Sequence, residues 1–119
     1  VASIAPTAGW RFELALTLLR RLDAARHTGQ HGLSLAAMAE ALRIDPLQLE
    51  PVVELLADLD WVSRLDEGGD ARHVLLCDPA ATPLAPLVDR TLLEPGTASA
   101  AFRGAAGLDR LTLADAIRT

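Results

Sequence analysis

Two short helical segments set back to back constrain this chain more than any other feature. Ser34 can cap a helix over 34–42, with Leu33 and Met38 at the two positions of a hydrophobic staple. Asp45 can cap the next helix, over 46–59. Pro46 stands at its first helical position, Gln48 is placed for a capping box, and Ile44 can staple to Leu49. Only Arg43 and Ile44 lie between the two helices, and Ala36, Ala37, Ala39 and Ala41 allow close approach. Capped helices on so short a connection make a helix-turn-helix. In the second one Leu49, Val52, Val53, Leu56 and Leu59 form the buried stripe. Pro51 removes a backbone bond and is expected to kink or loosen the first two turns.

The flanking segments complete the pattern. Phe12, Leu16, Leu19 and Leu22 recur at helical spacing, with Ala15, Leu18 and Ala25 beside them, which predicts a first helix over 10–27 that ends near Gly29. Strand-like runs at 61–66 and 71–77 flank Glu67-Gly68-Gly69-Asp70, whose glycines supply the positive φ a tight hairpin needs, so 61–78 reads as a wing. Thr82-Pro83 should open a fourth helix over 83–93, bearing Leu84, Leu87, Val88 and Leu92. Residues 94–119 read as an Ala-rich helical tail in which Thr112 caps a last short helix through Ile117. The expected fold is mainly α with a small β-hairpin, a winged helix-turn-helix over 1–93. At 119 residues, half of them apolar, the chain suits one core.

Charge conflicts with the usual use of that fold. A helix that reads a DNA major groove presents Arg, Lys, Asn or Gln, and phosphate contacts supply much of its affinity. Here the helix offers Gln48 alone. Its solvent stripe holds Glu50, Glu54 and Asp58, flanked by Asp45 and Asp60, and the wing tip adds Asp66, Glu67 and Asp70. Each acid near a phosphate would cost on the order of a kcal/mol, so nucleic acid is not expected as a partner. Such a face is either ordinary solvated surface, the commoner case, or a docking face for a basic partner. The remaining charge is lopsided. Residues 1–31 sum to +2 through Arg11, Arg20, Arg21 and Arg26, while 32–119 sum to −7. A basic first helix can face lipid or RNA phosphates, although four arginines over four turns are more often solvated. All eleven basic residues are arginine, a bias that GC-rich codons explain as readily as function.

Metal and catalytic chemistry find little purchase. His27 and His31 share a glycine-containing loop, while His73 and Cys77 stand four apart on a strand, about 13 Å between side chains and too far to share an ion. The histidines read as surface groups, Cys77 as a small core hydrophobe, and Trp10 and Trp61 as core anchors rather than base-stacking platforms. No nucleophile elbow, Walker loop or paired zinc motif occurs, and neither a catalytic residue nor a cofactor is expected. One cysteine makes no internal disulfide, no apolar run approaches the roughly 18 residues of a membrane span, and no secretory signal is visible. The chain opens on Val1 without an initiator methionine, and a piece of a longer protein is expected.

Five runs carry a resemblance to a known family: Gly9-Trp10-Arg11-Phe12-Glu13-Leu14-Ala15-Leu16, Gly32-Leu33-Ser34-Leu35, Leu42-Arg43-Ile44-Asp45-Pro46-Leu47-Gln48-Leu49-Glu50-Pro51, Leu59-Asp60-Trp61-Val62, and His73-Val74-Leu75-Leu76-Cys77-Asp78-Pro79. They resemble the C-terminal cytoplasmic part of bacterial YihY/BrkB inner-membrane proteins, the UPF0761 family, long labelled ribonuclease-BN-like. The motifs are caps, core and turns, so they speak to fold more than to activity. The resemblance implies a membrane portion N-terminal to this segment and brings no catalytic residues with it. A weaker likeness, to Rrf2- or MarR-type regulators, covers the winged-helix pattern alone. The expected function is a regulatory or protein-interaction domain on the cytoplasmic side of the inner membrane, with an unknown protein or the protein's own membrane domain as partner. A DNA-binding regulator is the alternative, and a ribonuclease comes third.

Overall fold

In a computed structural model, residues 9–29, 32–66, 71–93 and 96–118 are described. The first helix, α1 (Trp10–His27), starts at Gly9, whose φ of 81° puts it in the left-handed region. Glu13 in its first turn and Arg26 and His27 in its last complement the helix dipole. Its buried ridge is Leu14, Leu18, Leu22 and Ala25 together with Ala15 and Leu19. Phe12 and Leu16, expected inside, are only half-buried at the edge of the core. The helix is turned away from the expected stripe because α1 is the central element, packed against four others rather than one.

A strand that the sequence reading did not anticipate follows, β1 (Leu33–Ser34), too short to show alternation. It pairs antiparallel with β3, Leu33 opposite His73 and Ser34 opposite Arg72. Gly32, at φ 91°, makes this approach possible, since a Cβ there would lie 2.7 Å from the His73 carbonyl oxygen. Helix α2 (Leu35–Leu42) is capped as expected, the Ser34 hydroxyl accepting from the Ala37 N–H at 3.0 Å. It ends without glycine. Arg43 takes the left-handed conformation at φ 56°, and the Ile44 N–H closes the turn onto the Ala39 carbonyl at 3.0 Å.

In α3 (Pro46–Asp58) the Asp45 carboxylate accepts from the Leu47 N–H at 2.9 Å, while the Gln48 N–H donates to the Asp45 carbonyl. The helix runs on through Pro51 without a break in its assignment. Leu49, Val52, Val53 and Leu56 are buried as expected, and Leu59 is half-buried. Trp61, at the hinge into the wing, is 5% exposed and belongs to the core. Strands β2 (Val62–Asp66) and β3 (Ala71–Leu75) pair antiparallel from Val62 opposite Leu75 to Asp66 opposite Ala71, and the sheet order is β1-β3-β2. The expected turn at 67–70 lies outside the described residues. Helices and this three-stranded sheet together form a winged helix-turn-helix.

The C-terminal part departs most from expectation. Helix α4 (Ala85–Thr91) starts after Pro83, because Pro83 bridges Thr112 and the Leu84 N–H donates to the Leu111 carbonyl at 2.9 Å. Beyond α5 (Thr97–Ala106) and a 3₁₀ turn (Leu108–Arg110), α6 (Leu113–Ile117) carries the expected Thr112 cap as a reciprocal box with Asp115. Leu113 and Ile117 are buried in the same core as α1. The segment set apart in the sequence as a tail therefore places its last helix inside the main core.

Candidate functional site

Helix α3 presents a two-sided character. Its inner residues hold it to the core, and its outer face carries Leu47, Glu50, Pro51, Glu54 and Asp58, all exposed. The structure divides the acidic residues singled out in the sequence. Asp58 lies 3.8 Å from Arg90 of α4, and Asp66 accepts from the Arg64 Nε at 3.0 Å within the wing. Glu50 and Glu54 have no ion pair among the described residues. Gln48 is half-buried at the base of the helix, and Glu67 and Asp70 lie outside the described residues. Leu47, 77% exposed, is an apolar residue on the same outer face that the sequence expectations did not single out. Its signal was available, because it falls off the buried stripe and three residues before Glu50.

Behind Glu50 and Glu54 opens a cavity of about 440 Å³ between α3, the first turn of α2 and one face of the sheet. Strand alternation explains which sheet residues reach it. Ala71, His73 and Leu75 share a face of β3, and Arg64 is the register partner of His73 on β2. His73, expected at the surface, is instead half-buried, and its Nδ1 is buried without a hydrogen-bond partner. Burial of the ring holds its pKa below the usual histidine value, against an opposing pull from the Leu33 backbone, and the Arg64 charge adds to the lowering. Burial thus favours the neutral form of the ring. Cys77 is a half-buried free thiol packed on the core. Among the described residues no three His, Cys, Asp or Glu side chains are grouped to hold a metal ion.

The basic residues of α1 also divide. Arg20 donates to the Ala116 carbonyl at 3.0 Å, and Arg26 to the carbonyls of Leu75 at 3.2 Å and Cys77 at 3.0 Å, so both join α1 to other elements. Arg11 and Arg21 are exposed. On the same helix the buried Asp23 takes two bonds from Arg118, at 3.0 and 3.1 Å, with Arg26 and His27 nearby. Those bonds outweigh burial and lower its pKa.

No family model matches the chain. Sequence relatives do. It is 50% identical over 111 residues to UPF0761 membrane protein Mpe_A1422 of Methylibium petroleiphilum, covering 93% of this chain and 27% of the relative. A UPF0761 membrane protein of Verminephrobacter eiseniae is 42% identical, covering 98% of this chain and 30% of the relative. The chain is homologous to a segment of the UPF0761 membrane proteins. It spans under a third of those relatives, and among its described residues no helix is long and apolar enough to cross a membrane. Solved structures agree on the fold. A candidate transcriptional regulator from Lactobacillus plantarum superposes with a TM-score of 0.68 at 19% identity, over 88% of this chain and 85% of that one. CymR, the global cysteine regulator of B. subtilis, gives 0.60 at 19% identity over 97% and 95%. At such identities the likeness concerns the winged-helix fold alone.

Proposed function

We propose that this UPF0761 segment is a non-catalytic regulatory or protein-interaction domain, held on the cytoplasmic side of a bacterial inner membrane, that docks a basic protein surface on the outer face of α3. That surface belongs to a separate protein or to the protein's own membrane domain. One observation carries the reading: Glu50 and Glu54 stand exposed, with no ion pair among the described residues, on the helix that a DNA-binding winged helix lays in the major groove. Two carboxylates there repel phosphate and attract cations. Asp58 and Asp66, tied to Arg90 and Arg64, form its rim. As domain organisation we propose a winged-helix body over 1–93 closed by 94–119, with α6 as the clamp. Arg11 and Arg21, exposed on α1, favour the cytoplasmic side if a membrane portion precedes them.

The likeness to transcriptional regulators supports a second reading, DNA binding, and one titration separates the two. Docking predicts no duplex binding tighter than about micromolar at physiological salt, the weak end of non-specific affinity. Tight, sequence-selective anisotropy changes would establish the alternative. In the full-length membrane protein, a photocrosslinking residue at position 47, on the same exposed face, should join one partner or the protein's own membrane portion. Glu50→Lys with Asp58→Lys should abolish that adduct. An adduct indifferent to the reversal would remove the acidic face from the interaction. A C-terminal alkaline phosphatase fusion should stay inactive, and periplasmic activity would overturn the cytoplasmic placement.

A further inference from the structure

The cavity behind α3 combines features that an ordinary acidic surface lacks. Val53, Ala57 and Leu35 give it apolar walls, Glu50 and Glu54 line its α3 side, and the half-buried His73 stands on its sheet side. Among its lining residues Arg64 is the one permanent cation, and its Nε is already engaged by Asp66 at 3.0 Å. We propose that this cavity receives an arginine side chain of the docking partner, its guanidinium between Glu50 and Glu54 and its stem along Val53 and Ala57. The inference deepens the docking role proposed above and rests on it.

Glutamates four apart on a helix have Cβ atoms about 5–6 Å apart, close enough for one planar group to bridge. A guanidinium offers five N–H donors in a fixed fork and can bond both carboxylates together, whereas a lysine ammonium is a compact, strongly hydrated point charge. Burial of the His73 ring disfavours its charged form, so the sheet side adds little competing positive charge. Apolar walls then suit the methylene stem, which arginine buries while its head stays polar. A cavity of about 440 Å³ admits such a side chain with part of its neighbouring backbone. An anion would meet two carboxylates against one already paired arginine.

The test is an NMR titration of this chain with blocked Gly-Arg-Gly peptide and its citrulline, lysine and glutamate counterparts. Saturable shifts at Val53, Ala57 and His73 are expected with arginine, in the millimolar range suited to so small a probe, and citrulline should bind at least about tenfold more weakly. Glu50→Gln with Glu54→Gln should weaken the arginine peptide by about tenfold or more. Arg64→Gln should tighten it severalfold by removing the competing cation, an effect with the sign opposite to that of a merely structural residue. Unchanged amide spectra outside the cavity establish that each variant folds.

Equal binding of citrulline or lysine, loss of affinity in Arg64→Gln, or no saturable shift would each overturn the proposal. So would free arginine binding better than the blocked peptide, which would make the occupant a small molecule. Concentration-dependent shifts of the chain alone would make it a second copy, and would overturn it too. A position-47 crosslink that persists while the arginine peptide fails removes the pocket and leaves the docking role. The reverse outcome keeps the pocket and removes the docked partner.

Discussion

The seam between α1 and α6 and the outer face of α3 both carry charge, yet they use it in opposite ways. At the seam, charge is committed to the fold: Asp23 is buried and doubly bonded by Arg118, and Arg20 reaches the Ala116 carbonyl. On α3, Glu50 and Glu54 meet no cation of the described chain. A carboxylate taken out of water must be paired, whereas an exposed one need not be. The difference teaches that net charge by itself is a poor guide to function here. What matters is which charges the fold leaves unanswered, and among the described residues Glu50 and Glu54 are a neighbouring pair of that kind on one helix face.

The sharpest way to break this comparison is to remove what holds the α3 face in place. Trp61→Ala, at the hinge between α3 and the wing, should destabilise the chain by about 3–5 kcal/mol in chemical denaturation. A midpoint near that of the parent would show that the face does not depend on this anchor. At the seam, Asp23→Ala should cost about 1.5–3 kcal/mol, the worth of hydrogen bonds to a charged group. Because the folded Asp23 pKa is lowered, its contribution is complete above the ordinary aspartate range and is lost as pH falls through the folded value. The parent should thus lose stability below about pH 4 more steeply than Asp23→Asn.

His73 sets an earlier and smaller effect on the α3 side. Its folded pKa lies below the usual value of about 6.5, so below that pH the unfolded chain takes up the proton first. Stability should be complete above about pH 6.5 and decline as pH falls toward the folded value. His73→Gln should flatten that part of a pH series, and an unchanged slope would mean the ring titrates freely. Smallest of all, Glu54→Ala should change stability by under about 0.5 kcal/mol. A large loss there would mean the residue is committed to the fold like Asp23, and the contrast between the two regions would collapse.

Much of the architecture was legible because its signals are local. The Ser34, Asp45 and Thr112 caps each lie within a few residues of the donors they satisfy, and all three accept those bonds. The stripe on α3 was legible for the same reason, since one face of that helix meets the core. On α1 the same logic placed Phe12 and Leu16 too deep, because a helix surrounded by α3, β3, α4 and α6 has no single inner face. His73 was misplaced as a surface group because alternation gives its face of the strand but not the short β1 that covers the neighbouring edge.

The sequence by itself determined the caps, the winged helix-turn-helix and the acidic character of α3, because these depend on residue type and spacing along a few turns. Tertiary structure alone decided that Asp58 and Asp66 are answered by Arg90 and Arg64, while Glu50 and Glu54 meet no cation among the described residues. It also decided that α6 enters the core and that His73 backs a cavity. Those outcomes turn on side chains far apart in the chain, where pairing and burial follow from distance and desolvation rather than from order along the sequence.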